Sequence, residues 1–176
     1  MILVSLGANL PSSEHGPPQA TLEAALAAIE AAGVAVSTRS RWYRSRPVPP
    51  SAQPWFVNAV AALATALEPV PLMAFLHEVE RRFGRRRGRR WEARVIDLDL
   101  LAYHELILRP SKGSGGLVLP HPRLHERAFV LRPLAEVTPD WRHPESGLGV
   151  AELIRGLSPD QIAEPLEQSF AIPEQR

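Results

Sequence analysis

The sequence predicts an α+β sandwich, helices laid on an antiparallel sheet, with a helical extension towards the C-terminus. Three observations predict it. Strand-like and helix-like periodicities follow one another in the order βαββαβ before further helical patterns appear. Two of the helical stretches are amphipathic, so each has an apolar face to bury on a sheet. The chain has 176 residues, 45% hydrophobic and 22% charged, which suits one sizeable core and makes a second full domain unexpected. This order of elements is the pattern of a ferredoxin-like sandwich whose helices cover one face of the sheet. Residues 1–165 are expected to form a single domain. Residues 166–176, short, polar and bounded by Pro165, are expected to be a loosely held tail.

Each element has its own signal. MILVSLGANL opens with an apolar run that ends in Gly7 and Asn9, a strand followed by a turn. In TLEAALAAIEAAG, Leu22, Leu26 and Ile29 keep helical spacing and Gly33 supplies a stop. VAVSTRSRWYRSRPV alternates as a strand until Pro47, Pro49, Pro50 and Pro54 impose an extended loop, because proline lacks the N–H that a ladder needs. WFVNAVAALAT starts with aromatic and valine residues and reads as a strand. PLMAFLHEVERRFG is the clearest helix. Leu72, Leu76, Val79 and Phe83 share a face, Pro71 suits the first turn, and Gly84 the C-terminal cap. The arginine-rich RRFGRRRGRR leads into RVIDLDLLAY, a strand that places Val95, Asp97, Asp99, Leu101 and Tyr103 on one face. SKGSGG is a flexible excursion, LHERAFVLRPLAEV a helix up to Pro133, and AELIRGL a last short helix.

Composition excludes several classes. No run of 18 apolar residues occurs, and the N-terminus enters a strand pattern with no basic leader, so a cytoplasmic, unexported chain is expected. The absence of cysteine excludes disulfides and thiolate metal sites. A net charge of +1 argues against polyanion binding by the whole surface. The basic residues are nevertheless uneven: Lys112 is the only lysine, and seven arginines fall within residues 81–90.

The chemistry concentrates beside that cluster. Alternate strand residues lie ~6.5–7 Å apart, and at an effective dielectric of about 20 two carboxylates at that distance repel by ~2.5 kcal/mol. Asp97 and Asp99 therefore need positive charge nearby. Neighbouring arginines can supply it by pairing; so can magnesium, which takes a couple of carboxylates, waters and nucleotide phosphate oxygens. The arginine loop reads either as solvated or nucleic-acid-binding surface, or as a clamp for a small polyphosphate, since guanidinium forks onto phosphate oxygens. Adjacency favours the polyphosphate: arginine loop, Trp91, Arg94 and both aspartates lie close together in sequence. In QPWFVN, Phe56 and Asn58 share a strand face and read either as core or as a stacking ring and an amide for a flat heterocycle. His121 and His125 lack a third soft ligand in sequence and read as phosphate or base contacts, or as surface.

Taken in order, SLGANL, WYRSRPV, QPWFVNAV, ERRFGRRR, RWEARVIDLDLL and PHPRLHERAFVLRPL resemble the 6-hydroxymethyl-7,8-dihydropterin pyrophosphokinases of the folate pathway, from about residue 2 to residue 155. The resemblance implies a ferredoxin-like catalytic domain that transfers the β,γ-diphosphate of ATP to the pterin hydroxymethyl group, releasing AMP. It implies that Asp97 and Asp99 hold two magnesium ions, and that Arg85 and Arg94 complete the catalytic set by gripping the phosphates, with Arg87 alongside. ATP contacts are implied at His77, Glu80, Trp91, Leu100, His121 and Arg127. Pterin contacts are implied at Ser45, Val48, Phe56, Asn58 and Phe129, the two phenylalanines sandwiching the ring. The partners are then ATP and 6-hydroxymethyl-7,8-dihydropterin, with no nucleic acid and no membrane, and the chain is expected to act as a monomer. It departs from the family at Glu92 and Ala93, where glycine and proline are usual, and at Arg46, where proline is common.

Overall fold

The computed structural model describes residues 1–85, 93–110 and 116–167. Its elements are β1 (Ile2–Ala8), α1 (Pro18–Ala31), β2 (Ala35–Arg39), β3 (Tyr43–Ser45), β4 (Phe56–Ala64), α2 (Pro69–Arg82), β5 (Asp97–Tyr103), α3 (Ala128–Val137), α4 (Val150–Arg155) and β6 (Ala163–Pro165), with a 3-10 turn at Leu124–Glu126. Six strands make one sheet in the order β5-β1-β4-β3-β6, β2 pairing beside β3 on β4. Every pairing is antiparallel. The protein is thus α+β, as its sequence predicts.

Alternation along the strands feeds two cores. Ile2, Val4, Leu6, Ala59, Ala61, Leu63, Leu98 and Leu100 point to one face, where α1 adds Leu22, Leu26 and Ile29 and α2 adds Leu72, Leu76 and Val79. Leu3, Val60, Ala62 and Leu101 point to the other, against Val130, Leu131 and Leu134 of α3 and Val150 and Leu153 of α4. The helical extension therefore lies on the opposite face from α1 and α2. Gly84 ends α2 at φ +85°, the left-handed conformation that glycine adopts without cost. Among the described residues no helix is long and apolar enough to cross a membrane.

Four details differ from the sequence expectation. The long second strand is two, β2 and β3, because the Ser40 hydroxyl accepts the Val60 N–H at 3.1 Å in place of a backbone carbonyl and lets the chain kink. α3 runs through Pro133 instead of ending there. Burying Val130, Leu131 and Leu134 contributes roughly 1.5–3 kcal/mol each, which exceeds the ~3 kcal/mol cost of a proline that cannot donate to the Phe129 carbonyl. β5 begins only at Asp97, and between Leu3 and Val4 its register slips by one residue at Leu101. This bulge turns Tyr103 to the α1–α2 face, where its hydroxyl donates to the Leu67 carbonyl at 3.0 Å. Finally β6, unsignalled in the sequence, adds an edge strand to β3.

Candidate active site

Strand direction decides where the site forms. β4 and β5 both run antiparallel to β1, so the end of β1 meets the beginnings of its two neighbours. Further along the sheet α3 and α4 cover this face, over Leu3, Val60 and Ala62. Near the end of β1 the same face turns polar and stays open. Ser5, Gly7, Ser45, Phe56, Asn58, Asp97 and Asp99 floor a cleft of about 210 Å³, with Arg46, Val48 and Gln53 on one side and Arg94, Arg127 and Phe129 on the others. Gly7 pairs with Asn58 on one flank and Asp97 on the other. A Cβ there would stand 3.2 Å from Asn58 Oδ1 and 4.0 Å from Asp97 Cβ, so glycine keeps the floor open. Asn58 is buried, and its Nδ2 donates to Ser45 Oγ at 2.7 Å.

The charges alternate across the site. Glu80, only 3% exposed on α2, accepts the Leu98 N–H at 2.7 Å and pairs with Arg85. Arg85 also pairs with Asp97 Oδ1, and Arg94 pairs with Asp97 Oδ2. Burial, and then the neighbouring Asp97 charge, push the Asp99 carboxyl up to about 6, against the pull of Arg127, Arg85 and Arg94. Arg127 in turn lies over the Phe129 ring, 5.5 Å from its centroid. Despite its ion pair, Asp97 Oδ1 is a buried oxygen with no hydrogen-bond partner.

A second groove of about 470 Å³ adjoins the cleft, lined by Val70, Met73, His77, Leu100, Leu117, Val118 and His121. Asp99 lines both. Burial and the Arg127 cation hold the His121 imidazole down at about 4, so it is neutral at pH 7, and its Nδ1 accepts the Arg123 N–H at 3.2 Å. The site thus combines an apolar slot with aromatic walls, a cationic and carboxylate junction, and a second, largely apolar groove. The pattern of the family described as 7,8-dihydro-6-hydroxymethylpterin-pyrophosphokinase matches residues 3–139. This chain belongs to that family. Proteins called 2-amino-4-hydroxy-6-hydroxymethyldihydropteridine pyrophosphokinase are similar to it. That of Methylorubrum extorquens is 41% identical over 160 residues, covering 90% of this chain and 94% of its own. That of Pseudomonas aeruginosa is 41% identical over 157 residues, covering 87% and 89%. That of Synechocystis is 39% identical over 153 residues, covering 86% and 73%.

As a member of the pyrophosphokinase family the chain is a transferase of folate biosynthesis. The geometry brings together Ser45, Val48, Phe56, Asn58, Phe129, Arg94, Asp97, Asp99 and Arg127 in the cleft. His77, Leu100 and His121 meet in the second groove. Arg85 stands behind Asp97, and Glu80 faces inward to hold it. Arg87 and Trp91 lie outside the described residues. His125, weighed with His121, stays exposed and meets the edge of His143 at 5.8 Å. Sequence reading took Gly7 and Asn9 only as turn residues and did not single out Gln53; the motifs SLGANL and QPWFVN contained all three.

Two adjoining carboxylates, one with a buried oxygen short of a hydrogen bond, fit magnesium. Among the described residues no cluster of three or more histidine, aspartate or glutamate side chains could hold a metal, so a magnesium ion at the two aspartates would need further oxygen ligands from outside the protein.

Proposed function

We propose that the cleft holds 6-hydroxymethyl-7,8-dihydropterin between Phe56 and Phe129, that ATP lies along the second groove, and that the pyrophosphoryl group passes between them beside Asp99. The observation that carries this reading is that Asp99 lines both cavities. Ser45, Val48 and Asn58 flank the pterin. His77, Leu100 and His121 flank the nucleotide, with Glu80 as a support and Trp91 assigned by resemblance. Asp97 and Asp99 hold two magnesium ions, which supply charge neutralisation and phosphate alignment. The strand order, two outer strands flanking the β1–β4 centre, supports a ferredoxin-like framework, with residues 1–165 as one catalytic domain.

The residues of the chain do the remaining work. Phe56, Phe129 and Asn58 fix the flat ring, so the primary alcohol is presented towards Asp99. Arg94 and Arg127 face the position where phosphate charge builds up, with Arg85 behind Asp97 and Arg87 joining them by resemblance. The reaction then rests on alignment and charge neutralisation instead of a strong general base. The chain is taken to work as a monomer in a cytoplasmic setting, where ATP is supplied.

Incubation of the chain with ATP, magnesium and the reduced pterin tests the reading. AMP and pterin diphosphate are expected in equal amounts. Formation of ADP, or release of free pyrophosphate with a nucleotidylated pterin, overturns it.

A further inference from the structure

We propose that Asn9 is a positioning residue that locks the pterin side of the cleft to the phosphate side, so that filling one half readies the other. The inference rests on the two half-sites assigned above. Asn9 follows the last residue of β1, the central strand whose neighbours both begin at that end. It is only 2% exposed. Its Oδ1 accepts the Arg94 N–H at 2.7 Å, and the N–H groups of Asn9 and Leu10 donate back to the Arg94 carbonyl at 2.9 and 3.0 Å. Its Nδ2 donates to the Pro54 carbonyl at 3.1 Å and to Gln53 Oε1 at 3.3 Å. Arg94 and Gln53 both line the cleft.

The side chain fits one way round only. A backbone N–H can only donate and a proline carbonyl can only accept, so the amide oxygen must face Arg94 and the amide nitrogen must face Pro54. One planar group therefore fixes the segment before β5, which delivers Arg94 and Asp97, to the loop before β4, which delivers Gln53 and Phe56. A phosphate that engages the Arg94 guanidinium restrains the Arg94 backbone, and the buried amide passes that restraint to the pterin wall. The second substrate then meets loops already ordered by the first, which is positive coupling without a contact between the ligands. A turn residue with only a structural role would lower stability and leave that coupling alone.

The test measures pterin affinity by calorimetry with and without a saturating non-hydrolysable ATP analogue and magnesium, using the full chain. In the wild type the nucleotide is expected to tighten pterin binding about 5- to 150-fold, the usual range of coupling between sites. Asn9→Ala is expected to bring that ratio to within roughly twofold of one. Asn9→Asp keeps the acceptor for Arg94 but sets an oxygen against the Pro54 carbonyl, and should lose the coupling as well. Thermal unfolding run alongside shows which variants fold. Should both fail to fold, Gln53→Ala cuts one arm and leaves Asn9 in place; it should lower the ratio about threefold, any direct contact of Gln53 with the pterin cancelling in the ratio. A folded Asn9→Ala with the wild-type ratio, a Gln53→Ala that leaves the ratio unchanged, or a wild-type ratio of one overturns the inference while the cleft assignment stands. A wild type that binds no pterin at all overturns both.

Discussion

Gly7→Ala is the smallest change that probes the floor of the site. The added methyl would lie 3.2 Å from Asn58 Oδ1, closer than carbon and oxygen ordinarily pack, so Asn58 must shift by a few tenths of an ångström. It is poorly placed to do so. Asn58 is 3% exposed, and its amide is anchored at 2.7 Å by Ser45 Oγ. Overpacking of this kind costs typically 1–3 kcal/mol; a single methyl against one side-chain atom belongs at the lower end, ~1 kcal/mol. At this chain length that is a fall in Tm of about 2–4 °C. On the proposed reading the effect on binding should be larger than the effect on stability suggests, because the methyl also enters the plane assigned to the pterin. A loss of ~1.4 kcal/mol there raises the pterin KM about tenfold, while the KM for ATP, proposed to lie in the second groove, which does not include Gly7, stays near wild type. Steady-state rates with each substrate varied in turn separate the two. Ser45→Ala releases the anchor and should reduce the stability cost of Gly7→Ala. An unchanged pterin KM, or an ATP KM that rises in step with it, refutes the placement of the pterin on this floor.

Asp97→Ala should lower turnover roughly 10³-fold by removing charge stabilisation at the transferred group. Its stability should change by no more than ~1 kcal/mol, since two part-exposed ion pairs are lost while repulsion on Asp99 is relieved; single-turnover rates and melting curves check both. Glu80→Gln keeps an acceptor for the Leu98 N–H and leaves Arg85 still paired with Asp97, so urea denaturation should show a loss of only about 1–2 kcal/mol. His121 is held down at about 4 in the fold and is near 6.5 in the unfolded chain, so below pH 6.5 the unfolded state takes up a proton that the native state refuses. The His121 contribution to stability should therefore fall as pH drops from 6.5 to 4 and level off beneath, while the raised Asp99 carboxyl takes up a proton in the native state over much of the same range and opposes it. Discounted for its partial exposure, the His121 contribution is ~1–2 kcal/mol, and it should appear as the pH-dependent difference between the wild-type and His121→Asn denaturation series.

What the sequence revealed and what it hid differ in the range of the interactions involved. Period-two alternation was enough to place Asp97 and Asp99 on one face, and helical spacing was enough to find α2 with its Gly84 cap. The position of Tyr103 was not legible, because the bulge at Leu101 comes from pairing with β1, a strand almost a hundred residues earlier. The division of β2 from β3 depends on a serine hydroxyl reaching Val60. Pro133 signals a helix end by local rules, and the apolar face shared with β4 overrides it. Within the site, Asn9 looked like a turn residue because its partners lie at positions 53, 54 and 94. Glu80 likewise showed nothing of its burial, since the group that needs it is the Leu98 N–H of another element.

The two readings of the aspartate pair, arginine ion pairs or a metal site, turn out to be compatible. Glu80, Arg85, Asp97, Arg94, Asp99 and Arg127 alternate in sign, and they carry three negative and three positive charges. A row balanced in this way tolerates two carboxylates at close quarters before any cation arrives. It also limits how many ligands those carboxylates can offer: Asp97 is engaged through both oxygens, and only one of them is hydrogen bonded. On the proposed reading, Asp97 and Asp99 would hold magnesium brought with the nucleotide, which would supply charge neutralisation, and Arg85 and Arg94 would then be available to its phosphates. Each positive charge released from a carboxylate is then redirected to a phosphate, so the net charge of the junction changes little while its partners exchange. On the same reading the arginines balance the carboxylates when no cation is bound and would pair with phosphate when the nucleotide is, which accounts for both groups lying on one short stretch of chain.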